Sequence, residues 1–562
     1  MCTVTFQIEG QGELAVSTIA GENLLQLARD NDIAIDAPCG SNGSCGKCRI
    51  RLVSGQLQAE PSRHISHADY QAGWRLACTS TVVDDAVVWV PADAGSFQSG
   101  IQTADLSTAA DRQRYSAAVE QVFTTGLQRG TQDNGYGVAI DIGTTTVTAA
   151  LLDLASGELL AKASAGNGQI RYGADVINRI IASSRPGGRE ALRQAILTDT
   201  LLPMLADLLT QAALSSSAIR RCVIAGNTTM EHLLLGEDAS SIRLEPYVPA
   251  FLEKTGVTAA EVGLPFSADT PVILAPNVGS YVGGDITAGI LTSLIWNQDN
   301  LQLFLDLGTN GELVLGNRDF LLCCACSAGP AFEGGEISCG MRATAGAVQA
   351  VRLDQNTLQP TLDVIGSKAV AGVCGSGLID LIAELFRCGA IDATGKFVRE
   401  HPRIWRNEYT AAFVLAYADE SQSGKDIQIN ETDIGNFIRA KAAIYSAIHV
   451  LLQSLDMDAR MLDSVQIAGG IGGGINIANA IAIGMLPALS TERFSYIGNS
   501  ALTGACAMLL SDDAAQKVLE LGRSMTYVEL STHPGYMDEF IAACFLPHTH
   551  LELFNPKQQV TP

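Results

Sequence analysis

Apolar and polar residues alternate at every second position in "TVTFQIEG" (3–10) and "GELAVST" (12–18). This pattern predicts two half-buried strands joined by a tight turn. "ENLLQLARDN" places Leu24, Leu27 and Ala28 on one face of a short helix. "CRIRLVSG" and "AVVWVP" return to strand patterning. Residues 94–134 are polar and lose the period, apart from a helix expected near 110–127. "GYGVAIDIGTTTVTAALLDLASGELLAKA" then reads as strand, tight turn, strand, turn, strand, and "NLQLFLDLGTNGELVLGNRDFLLCCACS" repeats that order. The turns Asp141-Ile-Gly143-Thr144 and Asp306-Leu-Gly308-Thr309 match one for one, so the repeat predicts two similar lobes facing each other. A further apolar strand, in "SVQIAGGIGGGINIANAI", runs into Gly469, Gly470, Gly472, Gly473 and Gly474 and then into a helix.

With 562 residues the chain is too long for one core, and roughly two to four domains are expected. Apolar residues make up 47% and charged residues 17%, a balance that fits a soluble globular protein. A net charge of −23 argues against nucleic acid and anionic membrane as partners. "MCTVTFQIEG" has neither a basic nor an apolar signal region, so a cytoplasmic location and no secretory signal are expected. Most of the 14 cysteines are then reduced thiols or metal ligands. The longest uncharged stretch, 464–491, could span a bilayer by length. Its "GGIGGG" turn indicates a buried strand, loop and helix instead.

Four cysteines stand apart. Cys39, Cys45, Cys48 and Cys78 follow C-x5-C-x2-C-x29-C, the first three within the glycine-rich "PCGSNGSCGKCRIRL". A zinc ribbon needs two like knuckles, and only one is present. Three ligands in a flexible loop plus one distant ligand suit a [2Fe–2S] group better, the loop being one residue longer than the plant-type spacing. A zinc site or plain thiols are the alternatives. The order of hairpin, helix, cysteine loop and strands resembles the ferredoxin β-grasp fold, and "RLACTSTV" resembles the strand carrying the fourth ligand. Lys47, within the loop, reads as a solvated charge.

The paired turns carry definite chemistry. Gly143 and Gly308 let backbone approach phosphate oxygens. Successive N–H groups make an anion nest, to which Thr144, Thr145, Thr309 and Asn310 add donors. Asp141 and Asp306, at the strand ends, suit a hydrated Mg²⁺ or the orientation of an attacking water. Gly469, Gly470, Gly472 and Gly473 let backbone lie close to a flat ring. In this order the motifs resemble the acetate/sugar kinase–Hsp70–actin ATPases over roughly 135–510. "AIDIGTTTV" and "LDLGTNGE" resemble the two phosphate loops, and "QIAGGIGGG" the adenosine loop. "GGDITAGILTS" and "ALTGACAML" resemble the two connecting helices. The resemblance implies a two-lobed α/β actin-like (ribonuclease H-like) ATPase, with ATP and Mg²⁺ as ligands.

A [2Fe–2S] ferredoxin domain joined to such an ATPase resembles the reductive activators of corrinoid proteins. "IAGNTTMEHLLLG" (224–236) and "CSAGPAFEGGEISCGM" (326–341) also resemble segments of that family. The resemblance implies delivery of one electron to an inactive Co(II) corrinoid protein of a methyltransferase system, restoring Co(I) at the expense of ATP. It also implies a low-potential electron donor upstream, and a homodimer. An ATP-driven donor to another low-potential enzyme and a nucleotide-binding redox sensor are the alternatives. The expected layout is a ferredoxin-like domain at 1–93, a linker at 94–134, ATPase lobes at 135–300 and 301–512, and an extension at 513–562 that resembles nothing familiar. Outside these motifs, Cys323, Cys324, Cys326 and Cys339 read as core thiols, and Cys374 and Cys388 as helix packing. His548 and His550 read as a solvated tail. Asp285 reads either as a helix cap or as a neighbour of the nucleotide metal.

Overall fold

The structure is a computed structural model of the chain. It describes residues 1–554 except 32, 36, 38–42, 44–45, 61, 63, 93, 95–101, 104–105, 107, 132–134, 367–368, 408–409 and 471.

The N-terminal domain is a five-stranded sheet in the order Gly12–Thr18, Cys2–Ile8, Ser80–Val90, Arg49–Ala59, Trp74–Leu76. Cys2–Ile8 runs antiparallel to its hairpin partner and parallel to Ser80–Val90. The helix Leu24–Arg29 buries Leu24, Leu25, Leu27 and Ala28, and Asn23 caps it by accepting from the N–H groups of Leu25 and Gln26. These residues share one core with Cys48 and Cys78. Cys78 sits on a single 3₁₀ turn, Ala77–Thr79, between two strands rather than on a strand.

The two lobes repeat one topology. In the first, Tyr136–Ile142, Thr146–Asp153 and Leu159–Gly166 form an antiparallel meander. Ile219–Gly226 adds parallel to its first strand, and Val272–Leu274 adds beyond that. In the second, Gln302–Leu307, Gly311–Gly316 and Leu321–Cys326 form the meander. Ser464–Ala468 and Phe494–Gly498 add in parallel. Each outer edge is closed by a short strand from outside the expected lobe: Gln102–Thr103 in the first and Thr526–Tyr527 in the second. The helices Gly284–Ser293 and Ser500–Leu510 cross between the lobes through small residues. Ala288, Ala501 and Ala505 are buried in one shared core.

Residues 94–134 are more than a tether. Their helix Ala109–Phe123 buries Val119 and Val122 in that same core. Farther on, the Gly130 N–H donates to Leu510 O at 3.0 Å. The extension is likewise packed. Its helix Tyr536–Ala543 lies against Glu431–Gln453. There Lys441, fully buried, donates to the carbonyls of Phe545 at 2.6 Å and Pro547 at 2.7 Å, and burial pushes its pKa down to about 7. His548 corrects the solvated-tail expectation. It is 2% exposed, faces Glu539 Oε1 at 3.2 Å and accepts the His550 N–H on Nδ1. His550 is exposed beside Glu552. Cys323, Cys324 and Cys326 are buried in core clusters, and Cys374 and Cys388 cap the two ends of the helix Gly375–Arg387. Among the described residues no helix is long and apolar enough to cross a membrane.

Candidate functional site

Two sites are built by this fold. At the first, the strand pairing of Arg49–Ala59 and the 3₁₀ turn Ala77–Thr79 bring Cys48 Sγ and Cys78 Sγ to 3.3 Å, both buried and neither in a disulfide. The Arg29 guanidinium is held below its ordinary pKa by burial. It lies within electrostatic reach of Cys48 and Cys78, and of Tyr172 and Arg185 on the first lobe. Cys39 and Cys45 lie outside the described residues. Lys47 corrects the expectation of a solvated charge: its Nζ donates to Gly340 O of the second lobe at 3.2 Å.

At the second site the matching turns meet face to face. Thr145 Oγ1 and Thr309 Oγ1 are 2.7 Å apart, and each donates to Glu333 Oε2 at 2.8 Å. The first turn is held from behind. Asn167 Nδ2 donates to Gly143 O at 2.9 Å, and Asn227 Nδ2 to Thr144 Oγ1 at 2.9 Å. Arg179, fully buried, donates to Thr144 O, and Arg342 Nη2 donates to Thr145 O at 3.3 Å. In the second turn the Gly308 N–H donates to Asn310 O at 3.0 Å, and the Asn310 side chain hydrogen-bonds Glu312. Gly469 closes onto this turn with φ +91°. A Cβ there would lie 2.4 Å from Leu307 O and 2.7 Å from Asp306 Oδ1, so only glycine fits. Gly472 and Gly473 pack beneath the Tyr496 ring, whereas Gly470 faces open space.

Carboxylates converge behind the turns. Asp141 accepts from Asn499 Nδ2 at 2.7 Å, yet burial raises its pKa to about 6. Burial and the charge of Asp141 raise Asp306 to about 7. Burial, with Asp306 and Asp141, raises Asp285 to about 8. Burial, with Asp285 and Asp306, also pushes Glu312 well up. Asp285 therefore belongs to the cleft, and the cap of its helix is Gly283.

This cluster sets a pH dependence. The folded pKa values exceed the ordinary carboxylate value, so between about pH 4 and pH 8 the folded state binds more protons than the unfolded one. Its stability then falls as pH rises through that window. Every tenfold gain in a carboxylate's proton affinity on folding corresponds to about 1.4 kcal/mol. The thermal midpoint of the nucleotide-free protein should drop by several degrees between pH 5.5 and pH 8, and Asp285→Asn should flatten the drop. A midpoint that rises over this range in scanning calorimetry would show that the three aspartates ionise without penalty.

Comparison with known proteins covers both parts of the chain. Residues 6–83 match the 2Fe-2S iron-sulfur cluster binding domain, residues 136–298 the RACo middle region, and residues 300–558 the C-terminal domain of RACo, the ASKHA domain. The corrinoid activation enzyme RamQ of Eubacterium limosum is 35% identical over 416 residues, covering 72% of this chain and 69% of that protein. The chain belongs to the RACo family. A Co(II) methylated amine-specific corrinoid protein reductase of Methanosarcina barkeri is 24% identical, over 70% of this chain and 73% of its own. The solved reductive activator for corrinoid, iron-sulfur protein superposes with a TM-score of 0.70. It is 37% identical and covers 99% of this chain and 100% of that one. The family match through residue 558 also assigns the extension, which as a sequence resembled nothing.

The residues present in this RACo chain suit the ligands the family implies. Cys48 and Cys78 are adjacent unbridged thiols in an apolar core, as a thiolate-held [2Fe–2S] group requires. In the cleft, hydroxyl and amide donors suit phosphate. Among the described residues no three His, Cys, Asp or Glu side chains are gathered to hold a bare ion. Mg²⁺ needs only one or two carboxylates when water and phosphate complete its shell. Glu312, Glu333, Arg179 and Asn499 escaped the reading of the sequence. Glu312 alone left a signal there, an acid inside the otherwise apolar strand "GELVLG".

Proposed function

We propose that this chain reduces the Co(II) centre of a corrinoid protein to Co(I), taking single electrons from a low-potential donor and drawing on ATP. The reading rests on one juxtaposition. Matching phosphate-type turns meet at Thr145 and Thr309 on the same chain that brings Cys48 and Cys78 together. When bound by Cys39, Cys45, Cys48 and Cys78, a [2Fe–2S] group supplies one-electron transfer. Cys48 and Cys78 themselves are buried in an apolar core.

In the cleft, the turns at Gly143 and Gly308 present N–H groups and threonine hydroxyls to the nucleotide's phosphates. Of the glycine cluster, Gly470 faces open space and leaves room for its base, while Gly469, Gly472 and Gly473 hold the surrounding backbone close to the Asp306 turn and the Tyr496 ring. Asp306 orients the attacking water, and Asp141 and Asp285 hold the hydrated Mg²⁺. Every ~59 mV by which a one-electron step runs uphill costs a factor of ten. Nucleotide can offset that only by favouring one of two conformations of the complex, and two lobes joined by crossing helices form such a hinge.

The test mixes dithionite-reduced protein with a Co(II) corrinoid protein anaerobically and follows the visible spectrum. Co(I) should form with ATP and Mg²⁺ and fail to form without them. Equal formation without nucleotide would end the reading.

A further inference from the structure

Glu333 takes part in neither chemical step above, yet it holds the centre of the cleft. It ends the 3₁₀ turn Pro330–Glu333, and its Oε2 accepts from both threonine hydroxyls, one from each lobe. A phosphate oxygen would make the same demand on those hydroxyls. Two anions crowded into one partly buried place repel, because solvent screens them less there than in bulk water. Phosphate and the Glu333 carboxylate therefore exclude each other from this seat.

The turn is mechanically tied to the ferredoxin domain. Gly334 follows Glu333 directly, and its backbone lies against that of Gly340. A Cβ on Gly334 would stand 2.3 Å from Met341 N, and one on Gly340 would stand 2.5 Å from Gly334 Cα. The two ends of the loop 334–340 cannot shift independently. The carbonyl of Gly340 accepts the Lys47 ammonium from the cysteine loop at 3.2 Å. Beside it, the Ser338 N–H and hydroxyl donate to Asp433 Oδ1 at 2.8 and 2.9 Å, and that carboxylate is within electrostatic reach of Lys47. From the far end of the loop, Arg342 reaches back to Thr145 O.

We propose that Glu333 is a built-in occupant of the phosphate seat, and that nucleotide, by displacing it, shifts the loop 334–340 and frees the ferredoxin domain from its Lys47 contact. The inference rests on the reading of the cleft as the nucleotide site. It makes Glu333 a positioning residue through which the ATPase controls where the electron-carrying domain sits. Linkage requires the converse: a docked ferredoxin domain weakens nucleotide binding by the same factor by which nucleotide weakens docking.

The test uses the full-length holoprotein with AMPPNP and Mg²⁺ under anaerobic conditions. Glu333→Gln keeps the side chain's shape and an accepting oxygen but removes the charge. It should tighten AMPPNP about tenfold by calorimetry. Lys47→Met, distant from the cleft, should tighten it several-fold through linkage. In wild type, AMPPNP should speed hydrogen exchange at 46–52 and 334–342 together. In Lys47→Met the exchange at 46–52 should already be fast without nucleotide. Unchanged or weaker binding by Glu333→Gln would make that residue a ligand or a bystander and overturn the inference alone. So would exchange at 46–52 that ignores nucleotide. A wild-type protein that does not bind AMPPNP overturns both this inference and the function proposed above.

Discussion

Asp306→Asn is expected to lower ATP hydrolysis by roughly 10²–10⁴-fold, the range for removing a positioned proton acceptor. Asp306 is the last residue but one of the strand Gln302–Leu307, where burial and the Asp141 charge already raise its pKa to about 7. Its ionised form is thus disfavoured by the fold and is retained at a cost in stability. The amide has nearly the same volume and no charge. The variant should therefore fold at least as well as wild type, with a thermal midpoint at pH 8 that is unchanged or higher without nucleotide. Its visible spectrum and its reduction by dithionite should be those of wild type, because Cys48 and Cys78 lie in a separate core. Mixed with a Co(II) corrinoid protein and ATP, it should form no Co(I). Phosphate release within threefold of wild type would mean that the second turn is not the reacting end of the cleft.

Cys48→Ser should fail in the opposite sense. Cys48 is fully buried and touches Cys78 through sulfur. A hydroxyl in its place is a far poorer ligand for iron than a thiolate. The purified variant should lose the red-brown colour and fall well below about two irons and two sulfides per chain. Hydrolysis of ATP should stay within about twofold of wild type, since Cys48 belongs to the core of the N-terminal domain and the cleft turns do not. Electron delivery should be abolished. Full iron and sulfide content in this variant would remove Cys48 from the ligand set, and zinc without acid-labile sulfide in wild type would remove electron transfer altogether. Taken together, the two variants separate the electron from the energy that drives it.

Much of this was legible in the chain. The alternation in 3–18 and the repeat of strand, Asp-x-Gly-Thr turn and strand report contacts between near neighbours, where a period of two or of 3.6 leaves a mark in the sequence. The same holds for Gly469, whose φ of +91° only glycine adopts easily. The packed roles of residues 94–134 and of the extension left no such mark. Gln102–Thr103 and Thr526–Tyr527 are two-residue edge strands, too short to carry a period. His548 reads as polar tail because nothing local signals that Tyr445 and Glu539 enclose it.

The sequence by itself determined the main strands and helices, their order, the repeat and the types of donor at both sites, because each depends on residues a few positions apart. Tertiary structure alone decided which charges meet. Glu333 reaches Thr145 across 188 positions, and Lys47 reaches Gly340 across 293. Asp141 raises the pKa of Asp306, and both raise that of Asp285, only because two lobes and a crossing helix bury them together. Burial, dielectric and distance belong to the packed chain, and no pattern of neighbours encodes them.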